Sequence, residues 1–205
     1  MKSDESKQKT AMVIGATGSF GGAVGRELLD RGWHVRALVR DIDRAAAELP
    51  AHPNLEFVEG DALEAADVDR ACEGVDLLVD SFNVSYEDWD PVVIESAEIV
   101  AEVAARRQLV VLFPGNVYGL GPDYSEPLTE DAPREVDSKK GELRNRIESI
   151  FEEASSQGAR FIILRCGDFL GPEMPADSCW LGHMVDKALD GGPITYPGPM
   201  DTLHQ

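Results

Sequence analysis

The strongest chemical signal in this 205-residue chain comes from three glycines. Gly15, Gly18 and Gly21 are spaced G-x-x-G-x-x-G, and Thr17, Ser19 and Phe20 share the same short stretch. An apolar, β-prone run, Met12–Val13–Ile14, leads in. AVGRELLDRG follows, with Val24, Leu28 and Leu29 on one helical face and Gly32 just past its end. Strand, tight turn and helix in that order leave backbone N–H groups at a helix N-terminus aimed at one spot, which suits a pyrophosphate. In such a turn Gly15 lets the chain bend sharply, Gly18 lets the backbone approach the phosphates, and Gly21 lets the helix pack close to the strand. Three glycines alone also make an ordinary loop; the strand before and the helix after are the context a nucleotide site needs. A second signal stands ~20 residues on, where the next strand of such a fold reads the adenosine ribose. An acid there bonds the 2′-hydroxyl, whereas an arginine accommodates a 2′-phosphate. Arg40 abuts the strand and Asp41 follows, so NADP is the expected cofactor and NAD the second choice. The competing account has Arg40 solvated and Asp41 capping a helix that begins near Asp43.

Those groups need a frame, and the apolar pattern supplies one. Val35–Val39, Leu55–Val58, Val75–Val79, Leu109–Phe113 and Phe161–Leu164 read as strands after the first. Leu109–Phe113 is continuously apolar, as expected of a parallel strand covered on both faces. Between them, helices are predicted over Asp43–Leu49, Leu63–Cys72, Pro91–Arg107 and Ser138–Ser155, the last with Leu143, Ile147, Ile150 and Ala154 on one stripe. Trp180–Leu189 reads as a further helix and Ile194–Tyr196 as a short strand. Strands alternating with helices predict a doubly wound α/β sheet of the Rossmann type, in order 3-2-1-4-5-6. The ligand crevice then lies outside the carboxyl ends of strands one and four, where Ser81, Phe82 and Asn83 follow the fourth strand.

Composition excludes several function classes. The net charge of −19 argues against nucleic acid and anionic membrane as partners. No apolar run is long enough to span a bilayer. Residues 1–10, MKSDESKQKT, are polar and lack the apolar core of a secretory signal, so they read as a disordered tail and the protein as cytoplasmic. Cys72, Cys166 and Cys179 show no paired spacing, which fits reduced thiols. The four histidines form no H-E-x-x-H or Cys/His cluster, so no metal site is assigned. Neither a G-x-S-x-G elbow nor a phosphate loop ending in Gly-Lys-Ser/Thr is present.

GATGSFGG, the following helix and HVRALVRD together resemble the short-chain dehydrogenase/reductase superfamily. The likeness is to its extended and atypical branches, which include sugar-nucleotide epimerases and dehydratases, dihydroflavonol-type reductases and NmrA-like proteins. It implies that Asp61 and Ala62 lie beside the adenine, although Asp61 also suits an N-cap of the helix that follows. The segment Pro114–Pro122, PGNVYGLGP, is similar to the family's S-S-x-x-V-Y-G, with Pro114, Gly115 and Asn116 beside the cofactor and Val117, Tyr118 and Gly119 retained. The family's catalytic serine or threonine is Pro114 here. Its Y-x-x-x-K places the lysine at Lys140 and the tyrosine at Val136; one residue earlier the pair is Lys139 and Glu135, so the tyrosine is absent in either register. Lys140 has a competing account as a solvated residue of the helix start. The stretch Arg165–Pro172 resembles the family's strand-six exit toward the substrate lobe.

The implied domains are a tail at 1–10, a dinucleotide-binding domain at 11–172, and a small partial substrate lobe at 173–205. Family members are usually longer, so a fragment and a naturally short protein are both open. A truncated lobe would leave a sheet edge and a helix face uncovered, and a homodimer is one way to cover them. Two functions follow from the resemblance. One is an NADP-dependent oxidoreductase or epimerase/dehydratase-like enzyme acting on a small-molecule substrate. With the usual groups absent, Tyr118 and Asp168 are acid candidates by location, with Lys140 as the lysine. The other is a non-catalytic, NmrA-like dinucleotide sensor; an enzyme remnant is the third possibility.

Overall fold

The computed structural model describes residues 7–85, 87–120, 127–136, 138–167, 171 and 180–195. Six strands form one parallel sheet in the order β3-β2-β1-β4-β5-β6. They are β1 (Thr10–Ile14), β2 (His34–Val39), β3 (Leu55–Glu59), β4 (Leu77–Asp80), β5 (Val110–Asn116) and β6 (Arg160–Cys166). The helices are α1 (Ser19–Asp30), α2 (Ile42–Glu48), α3 (Ala65–Ala71), α4 (Trp89–Arg107), α5 (Lys139–Ser155) and α6 (Trp180–Leu189). This is the expected doubly wound fold and strand order.

The sheet is apolar on both faces because each face carries a layer of helices. Met12, Ile14, Leu78, Val111 and Phe113 pack with α3, α4 and α5. Ala11, Val13, Val35, Ala37 and Val79 pack with α1 and α2. Met12, Val13, Leu78 and Val79 expose none of their surface, and each such side chain contributes ~1.5–3 kcal/mol of burial. Beside β5 the core is aromatic. Phe151 of α5 stacks on Phe161 of β6 at 4.4 Å and meets Phe113 of β5 edge-on at 5.1 Å.

Parallel pairing puts all carboxyl ends along one rim. Ile14 of β1 lies opposite Leu38 of β2 and Asp80 of β4, and Val39 lies opposite Glu59 of β3. Several helix ends differ from the sequence expectation, each for a local reason. Asp41 caps α2 by accepting the Arg44 N–H at 3.0 Å, so that helix starts at Ile42. Asp61 does not cap α3. Its carboxylate accepts the Leu63 N–H at 3.0 Å in a turn, and α3 begins two residues later than expected, with Glu64 at its N-cap. Ser138 caps α5 through the Gly141 N–H at 3.2 Å. Trp89 joins α4 ahead of the expected start, across a non-helical Asp90 that precedes Pro91.

The chain divides into two compact units, Met1–Arg165 and Cys166–Gln205. In the first, Thr10 donates its N–H to Asp76 at 2.9 Å, and Lys9 lies over the Trp33 ring. In the second, α6 closes on a turn in which the Gly191 and Gly192 N–H groups return to Ala188 and Lys187. No strand forms over residues 192–195. Pro193 removes a ladder donor there, directly after the Gly191–Gly192 turn, and Tyr196 lies outside the described residues. Among the described residues no helix is long and apolar enough to cross a membrane, and no three His, Cys, Asp or Glu side chains gather to hold a metal ion.

Candidate functional site

The three glycines differ in what surrounds them. Gly15 has φ +76°, and a Cβ there would lie 2.5 Å from the Ser81 carbonyl oxygen. A Cβ on Gly21 would run into the Gly15 carbonyl and the Ser81 hydroxyl. These two positions are glycine because protein backbone presses on them. Gly18 is exposed, and a Cβ on it would meet only the Gly15 carbonyl, at 3.3 Å. It is the N-cap of α1 and offers no side-chain oxygen to that helix end; the first turn also holds no acidic residue. An exposed helix N-terminus with no side-chain cap and no acid in its first turn is what a phosphate group requires. Thr17 is exposed, while Ser19 and Phe20 are half-buried at the start of α1.

Ser81 locks this turn to the end of β4. Its N–H and its hydroxyl both donate to the Ile14 carbonyl, at 3.1 and 2.5 Å. Phe82 and Asn83 continue along the rim. The Phe82 N–H goes back to the buried Asp80 carboxylate at 3.2 Å, and the Asn83 side chain accepts from the Trp89 indole at 3.0 Å. Burial pushes the Asp80 carboxyl up to about 6, and the Phe82 N–H and the Arg144 guanidinium work against that rise.

Arg40 ends β2 in an exposed position. Among the described residues it has no hydrogen-bond or ion-pair partner, whereas Asp41 is engaged in capping α2. Asp61 and the buried Ala62 follow β3 close by, because the Gly60 N–H donates to the Val39 carbonyl at 3.0 Å. Asp61 itself spends one carboxylate oxygen on its own turn.

A second cluster forms at the end of β5. Asn116 accepts the Tyr118 N–H at 3.1 Å and starts a single 3-10 turn, Tyr118–Leu120, that the sequence pattern did not reveal. Tyr118 is 41% exposed, and the Lys140 ammonium lies 6.0 Å from its ring centroid. Asn145 of α5 holds the turn by donating to the Gly119 carbonyl at 3.2 Å. Pro114 is half-buried in β5. Gly115 faces β6, where a Cβ would meet Ile163 at 2.7 Å. Val136, at the tyrosine position, is half-buried against Gly141, and Glu135 is exposed. The structure thus brings Tyr118 and Lys140 together; Asp168 lies outside the described residues.

Sequence reasoning missed the ion cluster behind this site. Glu148 of α5 is only 4% exposed. It accepts two hydrogen bonds from Arg165 of β6, at 2.7 and 3.2 Å, and Arg134 lies 3.6 Å from the same carboxylate. Arg165 also donates to the Glu130 carbonyl at 2.9 Å, and Arg134 pairs with Glu152. Residues 130–134 are thereby strapped to α5 and β6. The available signal was an acid on the apolar stripe of α5, one residue after Ile147.

The sequence model of the NAD(P)H-binding family matches residues 15–169. The chain belongs to the NAD(P)H-binding family. A curated relative of the chain, an uncharacterized protein, y4nG, of Sinorhizobium fredii, is 40% identical over 189 residues, which is 89% of this chain and 46% of that protein. A 3 beta-hydroxysteroid dehydrogenase/Delta 5-->4-isomerase of Mycobacterium tuberculosis is 41% identical over 68 residues, 33% of this chain and 17% of the enzyme. The chain therefore spans less than half the length of either. Among solved structures, the dTDP-glucose 4,6-dehydratase of Bacillus anthracis in complex with NAD superposes with a TM-score of 0.77 at 17% identity, covering 91% of this chain and 63% of the other. The UDP-glucuronic acid 4-epimerase of Bacillus cereus, also with NAD, gives 0.75 at 18%, covering 91% and 66%. The chain therefore has the fold of these epimerase and dehydratase structures, the doubly wound sheet its glycine spacing led one to expect.

Proposed function

We propose that this chain binds NADP(H) along the carboxyl rim of β1–β4 and is an oxidoreductase or epimerase/dehydratase-like protein with a displaced proton donor, Tyr118. The reading rests chiefly on the contrast at the glycine turn, where a Cβ on Gly15 or Gly21 would collide with protein, whereas exposed Gly18, at an uncapped helix N-terminus, would meet one backbone oxygen at a close 3.3 Å. Gly18 and the start of α1, with Thr17, Ser19 and Phe20, would hold the pyrophosphate. Asp61 and Ala62 would flank the adenine, and Arg40 would take a 2′-phosphate. Ser81, Phe82 and Asn83, with Pro114, Gly115 and Asn116, would line the remaining length. Arg40 supports NADP over NAD because Asp41, the acid that could bond a 2′-hydroxyl, is occupied with α2.

When bound, the cofactor supplies or accepts hydride at nicotinamide C4, opposite a carbonyl or carbinol carbon of a small-molecule substrate. The protein's part is the proton. Tyr118 carries a phenol at the end of β5, with the Lys140 ammonium 6.0 Å from its ring centroid. Tyr118 can therefore give its proton to a developing alkoxide, and Lys140 stabilises the anion left behind. Pro114 offers no hydroxyl to hold the substrate oxygen and Val136 no acid, so turnover is expected below about 1 s⁻¹, under the common enzyme range.

Pro114 and Val136 also favour a second reading, a non-catalytic dinucleotide sensor whose partner responds to the bound cofactor. Steady-state NADPH oxidation over aldehydes, ketones and nucleotide sugars separates the two. Slow turnover that disappears in Tyr118→Phe supports the displaced donor. Turnover untouched by Tyr118→Phe removes it, and saturable binding without any turnover leaves the sensor.

A further inference from the structure

Asp80 is a carboxylate at the end of an otherwise apolar strand, and it is 2% exposed. Its single hydrogen-bond donor among the described residues is the Phe82 N–H. A buried charge with so little solvation is costly unless a counter-charge stands near. That counter-charge is Arg144 of α5. Its guanidinium lies 4.4 Å from the Trp89 ring centroid and 5.8 Å from that of Phe113, and it draws the Asp80 carboxyl down against burial. The Trp89 indole is in turn held by the Asn83 side chain at 3.0 Å and the Val84 carbonyl at 3.2 Å. Residues 80–84 therefore reach Arg144 by two routes, by charge from Asp80 and by stacking through Trp89.

Both ends of this connection lead to the rim. Asp80 immediately precedes Ser81, which pins the glycine turn through the Ile14 carbonyl. Arg144 stands one helical turn after Lys140, so the two share a face of α5. The Arg144 contact adds to the core packing of Ile147 and Phe151 that already sets the rotation of α5, and it acts on the turn that carries Lys140.

We propose that Arg144 is a positioning residue, which with Asp80 and Trp89 sets the 81–84 segment and Lys140 in register for dinucleotide binding. The inference rests on the dinucleotide reading of the rim. It also explains why an ionised acid is kept in the core: Asp80 costs stability and returns alignment.

The test uses the full chain and two readouts, NADPH dissociation constant by fluorescence titration and amide hydrogen exchange at residues 81–84, with thermal melting alongside. Asp80→Asn keeps the shape and the acceptor for the Phe82 N–H but removes the charge. It is expected to melt no lower than the parent while binding NADPH about ten-fold more weakly, within the range for residues that align a site without touching the ligand. Arg144→Met is expected to lose a similar factor and to speed exchange at 81–84; Arg144→Lys, which keeps the charge, recovers most of both. The double variant is expected to lose about ten-fold rather than a hundred-fold, because one connection is broken twice. NADPH affinity unchanged in both single variants would overturn the proposal. So would losses that merely follow a lower melting temperature, or Arg144→Lys behaving like Arg144→Met. If the parent chain takes up no NADPH, the dinucleotide reading falls. Exchange at 81–84 then decides whether Arg144 orders that segment: faster exchange in Arg144→Met upholds the connection, and unchanged exchange refutes it.

Discussion

The two ends of the rim are built differently. At β1 and β4 the geometry is held by backbone: a positive φ at Gly15, a carbonyl pressed against Gly21, and Ser81 reaching back to Ile14. At β5 and α5 it is held by side chains: Asn116 on Tyr118, Asn145 on Gly119, Arg144 on Trp89, and Arg165 with Arg134 on Glu148. Backbone constraints admit few residue types, so the first end keeps the family's glycines. Side-chain constraints can be met by many pairs, so the second end can keep its fold with Pro114 and Val136 at the positions where the resemblance implies a serine and a tyrosine.

The sharpest way to break that contrast is within the glycine turn itself. Gly18→Val should weaken NADPH binding at least about a hundred-fold, since the side chain would fill the proposed phosphate space, and lower the melting temperature only slightly, since its Cβ would meet a single backbone oxygen, at 3.3 Å. Gly21→Ala should do the reverse: the new methyl meets the Gly15 backbone, and overpacking of this kind costs ~1–3 kcal/mol of stability. Melting curves and calorimetric titration of both variants check the pair. At the other end, Glu148→Ala leaves Arg165 and Arg134 without their shared carboxylate. It should cost about 3 kcal/mol and open residues 127–136 to protease, with NADPH affinity kept within about three-fold, because among the described residues this cluster, unlike Arg144, makes no contact with residues 80–84.

Two smaller effects sharpen the comparison. Arg40→Ala should lower NADPH affinity about ten-fold, the scale of one charge-assisted contact, and leave NADH affinity and the melting temperature unchanged. Asp69 of α3 takes no part in the rim and serves as a control. It is held by Arg107 at 2.8 Å and Arg106 at 3.0 Å, and these partners, Arg107 first, draw its carboxyl down to about 2. A depressed folded value means the stabilisation is complete above the unfolded value of about 4 and is lost as pH falls toward about 2. Asp69 is partly exposed, so the pair is discounted to about 1 kcal/mol. Urea melts of Asp69→Asn should show that deficit at pH 7, a shrinking one below pH 4, and unchanged NADPH binding.

The same contrast explains what could be read from the chain alone. The glycine turn, the strand order and the rim positions of Arg40, Asp61 and Ser81 were legible because hydrophobic period and glycine spacing encode backbone geometry directly. Helix starts were less so: Asp61 carried the right residue type for an N-cap and used it on a turn two residues before α3. The Asp80–Arg144–Trp89 and Glu148–Arg165–Arg134 clusters were not legible. Each joins residues far apart in sequence, and nothing in local periodicity says that Arg144 will face Trp89 or that a glutamate on the apolar stripe of α5 will be buried with two arginines. The tyrosine register was legible only as an absence, and the nearness of Tyr118 to Lys140 emerged from the 3-10 turn that follows β5.

On the reading proposed above, the exposed Gly18 turn and Arg40 make this rim an NADP(H) site. Isothermal titration of NADPH and NADH into the unmodified chain tests it most directly. The expected result is saturable binding of one NADPH per chain and about ten-fold weaker binding of NADH. Absence of NADPH binding, or equal affinity for the two, would contradict it.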